Sequence, residues 1–388
     1  MTVLSERVDT HIMFVSEHNS PNLWPATDSK LTPSHAILVT TPEMKARAES
    51  LERALRMTVP GVAIEYVDVP NGYDILMLAD TLEALIRGLK DRGLRPLFNL
   101  TCGTKAMTLA AMTATETTKI PCLYLPIDSH EMIFVRQLET MKLDCAMQLK
   151  PYVSLYGFAM REEQKSLPFS QELRDLAEEL ARTDSFREVY PAVNRLASEA
   201  TEKLAVSLDA IGPTSAAFDA LLDRLEKVQL LTINGRTVRF GNEAKRFFVN
   251  GGWLEDWAAN AARRAFPGTK VVENARIDYI EGQNGKVDVK GMHNELDVVF
   301  WQNDRLVILE CKTSDLGEEK RFNDVIYKLS ALGKLFGKTV RPVIVSYLPL
   351  PDAALNRAKS LRIEVVAGKD VWRLEERLKG LLREKVRA

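Results

Sequence analysis

Three side chains in NELDVVFWQNDRLVILECKT, residues 294–313, are chemically out of place: Asp297, Glu310 and Lys312 interrupt a run of Leu, Val, Ile and Phe. Side chains alternate along a strand, so Glu310 and Lys312 share one face while Cys311 takes the other. Upstream, Leu306 and Ile308 line one face and Val307 and Leu309 the opposite one, the pattern of a strand buried on both sides. A carboxylate and an ammonium at the end of such a strand are costly unless paired or metal-bound. The turn WQNDR folds the strand bearing Asp297 back beside 306–312, so two carboxylates can share one cation. Mg²⁺ or Mn²⁺ suits these hard oxygens, with the Cys311 backbone carbonyl and waters as further ligands. Such an ion lowers the pKa of a bound water and neutralises charge developing on a phosphate, while Lys312 holds the attacking water or the pentacovalent phosphate. Glu255, at a helix start in GGWLEDW, is a third candidate carboxylate, and Glu295, two residues before Asp297, a weaker one. The chemistry indicated is metal-dependent phosphodiester hydrolysis. The competing reading is a hairpin whose ion pair faces water, because Asp…Glu-x-Lys alone is a short and common match.

A second constellation lies in RPLFNLTCGTKAMTLAAM, residues 95–112, where a buried strand turns into a helix through Thr101, Cys102, Gly103, Thr104 and Lys105. Gly103 permits close backbone approach, and the helix start offers N–H groups and positive dipole character. Thr101, Thr104 and Lys105 add hydroxyl and ammonium donors, a combination that suits a phosphate. Neither GxxxxGK[ST] nor GxGxxG is present, so a Walker-type site and nicotinamide or flavin cofactors are poorly supported. SEHNSPNL, residues 16–23, forms a second polar loop at the same carboxyl edge, where ligands of such sheets bind. The competing reading is a helix cap and a tight turn.

The elements that must position these groups fall into three segments. From about 8 to 150, strand-like runs (11–15, 35–40, 62–69, 95–100, 122–127) alternate with amphipathic helices (42–57, 74–93, 104–119). That order predicts a Rossmann-like parallel sheet covered on both faces, with an antiparallel edge strand at 131–136. Thr41-Pro42 is a helix start. Residues 151–250 are helical and end in LLTINGRTVRF, where Asn234-Gly235 signals a tight hairpin, a winged-helix-like spacer. Residues 251–388 read as helix, strands, a basic helix, a strand and a terminal helix pair, an α/β core small enough to be an independent catalytic domain.

Bulk properties agree with a protein of two or three domains: 388 residues, 46% hydrophobic and 27% charged. No apolar run approaches the roughly 20 residues of a membrane span, and the N-terminus lacks a signal-peptide pattern, so a cytoplasmic protein is expected. The four cysteines, at 102, 122, 145 and 311, form no CxxC pair, which argues against structural zinc and for reduced thiols. Net charge is −1, so non-specific coating of nucleic acid is excluded. Positive charge is concentrated locally at Lys320, Arg321, Lys328, Lys334, Lys338 and Arg341, either a nucleic-acid-facing patch or a solvated helix face.

The stretches VSEHNSPNL, NLTCGTKAM, VNGGWLE and NELDVVF…LVILECKT together resemble the CRISPR-associated Rossmann fold (CARF) proteins fused to a PD-(D/E)xK nuclease. These are ancillary nucleases of type III CRISPR antiviral defence, activated by cyclic oligoadenylates. The resemblance covers both ends of the chain in the family's order. It implies a homodimer whose paired sensor domains bind one cyclic tetra-adenylate and switch on cleavage, or nicking, of single-stranded DNA and RNA with Mn²⁺ or Mg²⁺. By the same match Asp297, Glu310, Lys312 and Glu255 carry catalysis. Ser16, Asn22, Thr101, Cys102, Gly103, Thr104 and Lys105 would contact the activator. Cys102 departs from the family, which more often has Gly there.

Two other functions are compatible with the same elements. A Rossmann sensor followed by a winged-helix-like hairpin could be a ligand-responsive transcription regulator with an inactive nuclease fold. A third, weaker reading is a DNA-repair or restriction-type nuclease with no nucleotide sensor.

Overall fold

The computed structural model describes residues 7–126, 131–144, 147–162, 167, 170–212, 214–281, 286–287, 293–303, 305–317, 319–337 and 340–383. The chain forms two compact units, residues 1–160 with 277–293, and residues 161–276 with 294–388.

The first unit is built on strands β1 (Thr10–Phe14), β2 (His35–Thr40), β3 (Ala63–Asp68), β4 (Pro96–Asn99), β5 (Cys122–Tyr124), β6 (Glu131–Phe134) and β7 (Glu139–Lys142). They lie in the order β3-β2-β1-β4-β5-β6-β7. The first five pair in parallel, and β6 and β7 close the edge antiparallel. Helices α1 (Ser20–Thr27), α2 (Lys45–Thr58), α3 (Ile75–Asp91), α4 (Lys105–Thr118) and α5 (Leu149–Ser154) accompany the sheet. The parallel α/β reading therefore holds. Apolar runs such as IMF and AILV are buried on both faces because helices cover both, which is why they read as continuous rather than alternating.

Two local readings change. SEHNSPNL is a loop only as far as Asn19, and Asn22 stands in α1, whose start carries Pro21 in the first turn, a favoured place for a residue without an N–H. Thr41 precedes a short 3₁₀ turn, Pro42–Met44, and makes no side-chain cap; α2 begins after it.

The remaining elements begin with β8 (Phe158–Glu162), α6 (Gln171–Arg182), α7 (Asp184–Glu199), β9 (Ala205–Ser207), α8 (Ala216–Lys227), β10 (Leu231–Asn234) and β11 (Thr237–Phe240). Next come α9 (Glu243–Phe247), α10 (Trp253–Ala265), β12 (Val271–Glu281), β13 (Lys286–Val287), β14 (His293–Gln302) and β15 (Arg305–Lys312). The chain finishes with α11 (Glu319–Leu335), β16 (Val340–Ser346), α12 (Asp352–Ser360), β17 (Glu364–Ala367) and α13 (Leu374–Arg383). The larger sheet runs β13-β12-β14-β15-β16-β17 with β8 on β12, and β9, β10 and β11 form a small antiparallel sheet. The NG hairpin forms with Asn234 paired to Thr237, so the two turn residues are Gly235 and Arg236, and Gly235 takes the φ of +60° such a turn requires. Helices α6 to α8 share one apolar core with α10 and strands β14 to β16, and Tyr190, Trp253 and Tyr347 stack edge-on at its centre.

His11 sits wholly inside the first unit on β1, and burial lowers its pKa to about 4, against a weaker opposing hydrogen bond with the Leu31 backbone. The folded state thus keeps the ring neutral where the unfolded chain would protonate it. Stability should be complete above about pH 6.5 and decline by up to about 3 kcal/mol toward pH 4. Denaturant unfolding of wild type against His11→Gln from pH 7.5 to 4.5 checks this. Equal pH slopes would contradict the assignment.

Candidate functional site

Glu310 is the pivot of the second unit's polar centre. β15 lies between β14, its antiparallel partner, and β16, its parallel partner, so its carboxyl end is interior to the sheet. Glu310 is 2% exposed, which rules out a hairpin whose charges face water. Its Oε1 meets the Lys312 ammonium at 2.8 Å, and Lys328 of α11 donates to Oε1 and Oε2 at 2.9 Å each. Asp297 lies one residue beyond the Val298–Leu309 pair, beside Glu310. Its Oδ2 accepts the Cys311 N–H at 2.7 Å and stands 3.5 Å from the Lys312 ammonium. Lys312 also donates to the Cys311 carbonyl at 3.1 Å. One positive centre is thus cradled by Asp297, Glu310 and the Cys311 carbonyl.

The turn before α10 is what brings the helix start to this strand end. Gly251 holds φ at +119°, and a Cβ there would lie 2.5 Å from the Thr313 hydroxyl, immediately after Lys312. A Cβ on Gly252 would lie 2.6 Å from the Phe247 ring. The Gly251-Gly252 pair therefore serves close approach as well as backbone freedom. Thr313 is itself tied to Asn194 of α7 by hydrogen bonds of 3.0 and 3.2 Å.

The electrostatics follow from burial competing with charge. Burial raises the Asp297 pKa, and Lys312 only partly offsets it. Burial pushes Glu310 the same way, but the ammonium groups of Lys312 and Lys328 prevail and hold it below the usual carboxylate range. Burial disfavours charged Lys312, yet Asp297 and Glu310 prevail and raise its pKa. The Cys311 thiol is pushed well above its ordinary value, by burial first and then by Asp297 and Glu255. Glu255, half-buried in the first turn of α10, is thereby felt at this strand end. Glu295 is exposed.

Among the described residues no three His, Cys, Asp or Glu side chains are grouped to hold a metal, so Glu255 is not gathered with the other two carboxylates. The two-carboxylate set still fits a hard divalent cation, because magnesium-type sites commonly use one or two carboxylates plus waters. The Lys312 ammonium is held by three oxygens of the expected ligand set.

In the first unit the loop after β4 forms as expected, but its hydroxyls are engaged internally. Thr101 donates to Asn99 at 2.6 Å and accepts from Leu125 N–H at 2.9 Å. Thr104 caps α4, accepting from Met107 N–H at 3.1 Å and donating to the Gly72 carbonyl at 2.6 Å. Gly103 has φ +93° and a Cβ there would crowd Phe14 at 3.0 Å. Cys102 is buried, its thiol raised to about 11 by burial, with a 3.5 Å hydrogen bond to the His18 carbonyl. Ser16 donates to the same carbonyl at 3.1 Å. Asn22 is fully buried and donates to the Phe14 carbonyl at 2.8 Å. Lys105 is exposed and, among the described residues, has no ion pair.

Two residues escaped the sequence reading. Lys328 looked like one of several basic residues on a helix, and only the fold turns it onto Glu310; Lys338 of that group lies outside the described residues. Asn99 is buried and donates to the Pro21 carbonyl at 2.8 Å, joining the end of β4 to the start of α1. A polar residue ending a buried strand was the available signal. Cys145 also lies outside the described residues.

Comparison with known proteins places two family models on the chain: the Card1 CARF domain over residues 10–152 and the Card1-like endonuclease domain over 241–385. No curated protein matches the sequence. Protein VC1899 from Vibrio cholerae superposes with a TM-score of 0.84 at 22% identity, covering 97% of this chain and 98% of that one. Can2 from Sulfobacillus thermosulfidooxidans, in complex with cyclic tetra-adenylate, gives 0.76 at 24% identity over 97% and 98%. A type III CRISPR defence DNA nuclease activated by cyclic oligoadenylate gives 0.59 at 19% identity, over 99% of this chain and 53% of that one.

Removing one partner from a buried ion cluster leaves the others uncompensated. Glu310→Gln should lower the unfolding free energy of the second unit by about 3 kcal/mol, read from denaturant midpoints at constant m. An unchanged midpoint would mean that Glu310 is not clasped as described.

Proposed function

A chain that joins a Card1 CARF domain to a Card1-like endonuclease domain belongs with the CARF–nuclease fusions, and from that premise we propose that it is a metal-dependent endonuclease switched on by cyclic tetra-adenylate. Its substrates in this reading are single-stranded DNA and RNA, in type III CRISPR antiviral defence. The observation that carries it is the meeting of Asp297, Glu310 and the Cys311 carbonyl around one positive centre at a buried strand end. Those oxygens would hold Mn²⁺ or Mg²⁺. Such an ion, when bound, lowers the pKa of water and offsets charge on phosphate. Asp297 must give up its proton to bind the cation, and burial makes it release that proton at higher pH than an ordinary aspartate. Lys312, freed from the carboxylates, would hold the attacking water or a non-bridging phosphate oxygen. Glu255 supports the same strand end from α10.

On the sensor side, Lys105 and the first N–H groups of α4 are the donors left for a phosphate, while Thr101, Thr104 and Asn22 fix the loop's shape. A cyclic tetranucleotide has approximate twofold symmetry and suits two copies of this loop, which supports a homodimer. An exposed apolar surface agrees: Tyr73, just before α3, and Leu76 in its first turn are 77% and 80% exposed, and Leu109 of α4 is 57% exposed. Ligand binding activates only to the extent that the activator prefers the active arrangement.

Cleavage of labelled single-stranded DNA and RNA should require both divalent metal and cyclic tetra-adenylate, and should fall at least about a thousandfold in Glu310→Ala and Lys312→Ala. Undiminished cleavage in either variant would remove the assigned site. Lys105→Ala should raise the activator concentration for half-maximal cleavage while leaving activity at saturation intact. In sedimentation, Leu76→Asp with Leu109→Asp should convert a dimer to monomers; a dimer that persists would place the interface elsewhere.

A further inference from the structure

Lys328 stands apart from the other cations of its helix. Lys320 and Lys334 are exposed, whereas Lys328 turns inward and donates to both Glu310 oxygens at 2.9 Å. Lys312 already satisfies Oε1 of the same carboxylate at 2.8 Å, so Glu310 carries two ammonium partners. Balancing a single buried carboxylate needs only one.

The two ammonium groups change what the site can attract. Asp297 and Glu310 contribute two negative charges at most, and Lys312 and Lys328 cancel them. A divalent cation approaching this neutral cluster gains little Coulomb energy. Lys312 occupies the place between the carboxylates, so it must leave when a cation enters. Lys328 need not leave: it reaches Glu310 from α11, a different element from the strand that carries Lys312. It would then remain within a few ångströms of the bound ion, fixing the carboxylate while repelling the metal.

Resting on the metal-dependent reading above, we infer that Lys328 is a positioning residue that holds Glu310 in its ligating orientation and sets the site's cation affinity low. The residue weakens metal binding while keeping its ligand in place, so the nuclease unit loads its ion only at high free metal or when Lys328 is drawn away.

Mn²⁺ binding to the full chain without nucleic acid, followed by electron paramagnetic resonance of the free ion, tests this directly. Lys328→Met should bind Mn²⁺ about tenfold or more tighter than wild type, because one repelling charge beside the ion is gone. Lys328→Arg keeps the charge and should stay within about twofold of wild type, as should Lys334→Met on the exposed face of the same helix. Lys312 remains to balance Glu310 in Lys328→Met, so the variant retains a paired carboxylate. A role confined to stability would move the unfolding midpoint but not the Mn²⁺ titration. Wild-type binding with unchanged or weaker affinity in Lys328→Met overturns this inference alone, as does a Lys328→Arg that binds as tightly as Lys328→Met. Mn²⁺ binding by neither wild type nor Lys328→Met overturns the metal-dependent reading and this inference with it.

Discussion

A carboxylate held almost out of reach of water at the end of a central strand constrains everything around it. Glu310 is kept ionised there by ammonium groups that touch it, Lys312 and Lys328, both within 3 Å. Lys312 comes from the same strand, by the alternation that also sends Cys311 to the opposite face. Lys328 comes from a helix. Asp297 reaches the group because the antiparallel register of β14 sets it beside Glu310. The arrangement is costly as a structural device, since apolar residues of similar size would fill the space with no desolvation penalty. The proposed exchange of the Lys312 ammonium for a metal ion would give that cost a purpose.

The first unit solves a different problem. For the proposed role in meeting a phosphate, the loop needs donors that are fixed in place yet not already engaged. Here the hydroxyls of Thr101 and Thr104 tie the loop to β4, α4 and the Gly72 carbonyl, and Asn99 links it to the start of α1. Gly103 lets the backbone pass within van der Waals contact of Phe14. The groups that shape the loop and the groups that can meet a ligand are therefore largely different residues, and Lys105 is the charged one among the latter.

Much of this was legible in the sequence because it rests on local rules. Continuous apolar runs separated by amphipathic helices gave the parallel sheet, and alternation along 305–312 gave the shared face of Glu310 and Lys312. The NG turn gave its hairpin one residue early, since the turn glycine takes the first central position rather than the second. What was hidden depends on packing between distant segments. Lys328 is eighteen residues from Glu310 in sequence and indistinguishable by composition from its exposed neighbours. The roles of Thr101 and Thr104 could be read as ligand donors or as caps, and only the fold shows their hydroxyls engaged. The closeness of Gly251 to Thr313 likewise depends on how α10 meets the strand, which no short-range pattern encodes.

The central claim is that Asp297 and Glu310 are two ligands of one divalent cation whose place the Lys312 ammonium now holds. A crystal of the protein equilibrated with Mn²⁺ and measured at an anomalous wavelength tests it most directly. The account predicts one anomalous peak about 2.2 Å from an oxygen of each carboxylate, with Lys312 swung away. A peak bound elsewhere, or none while Lys312 still bridges the two acids at saturating Mn²⁺, would contradict it.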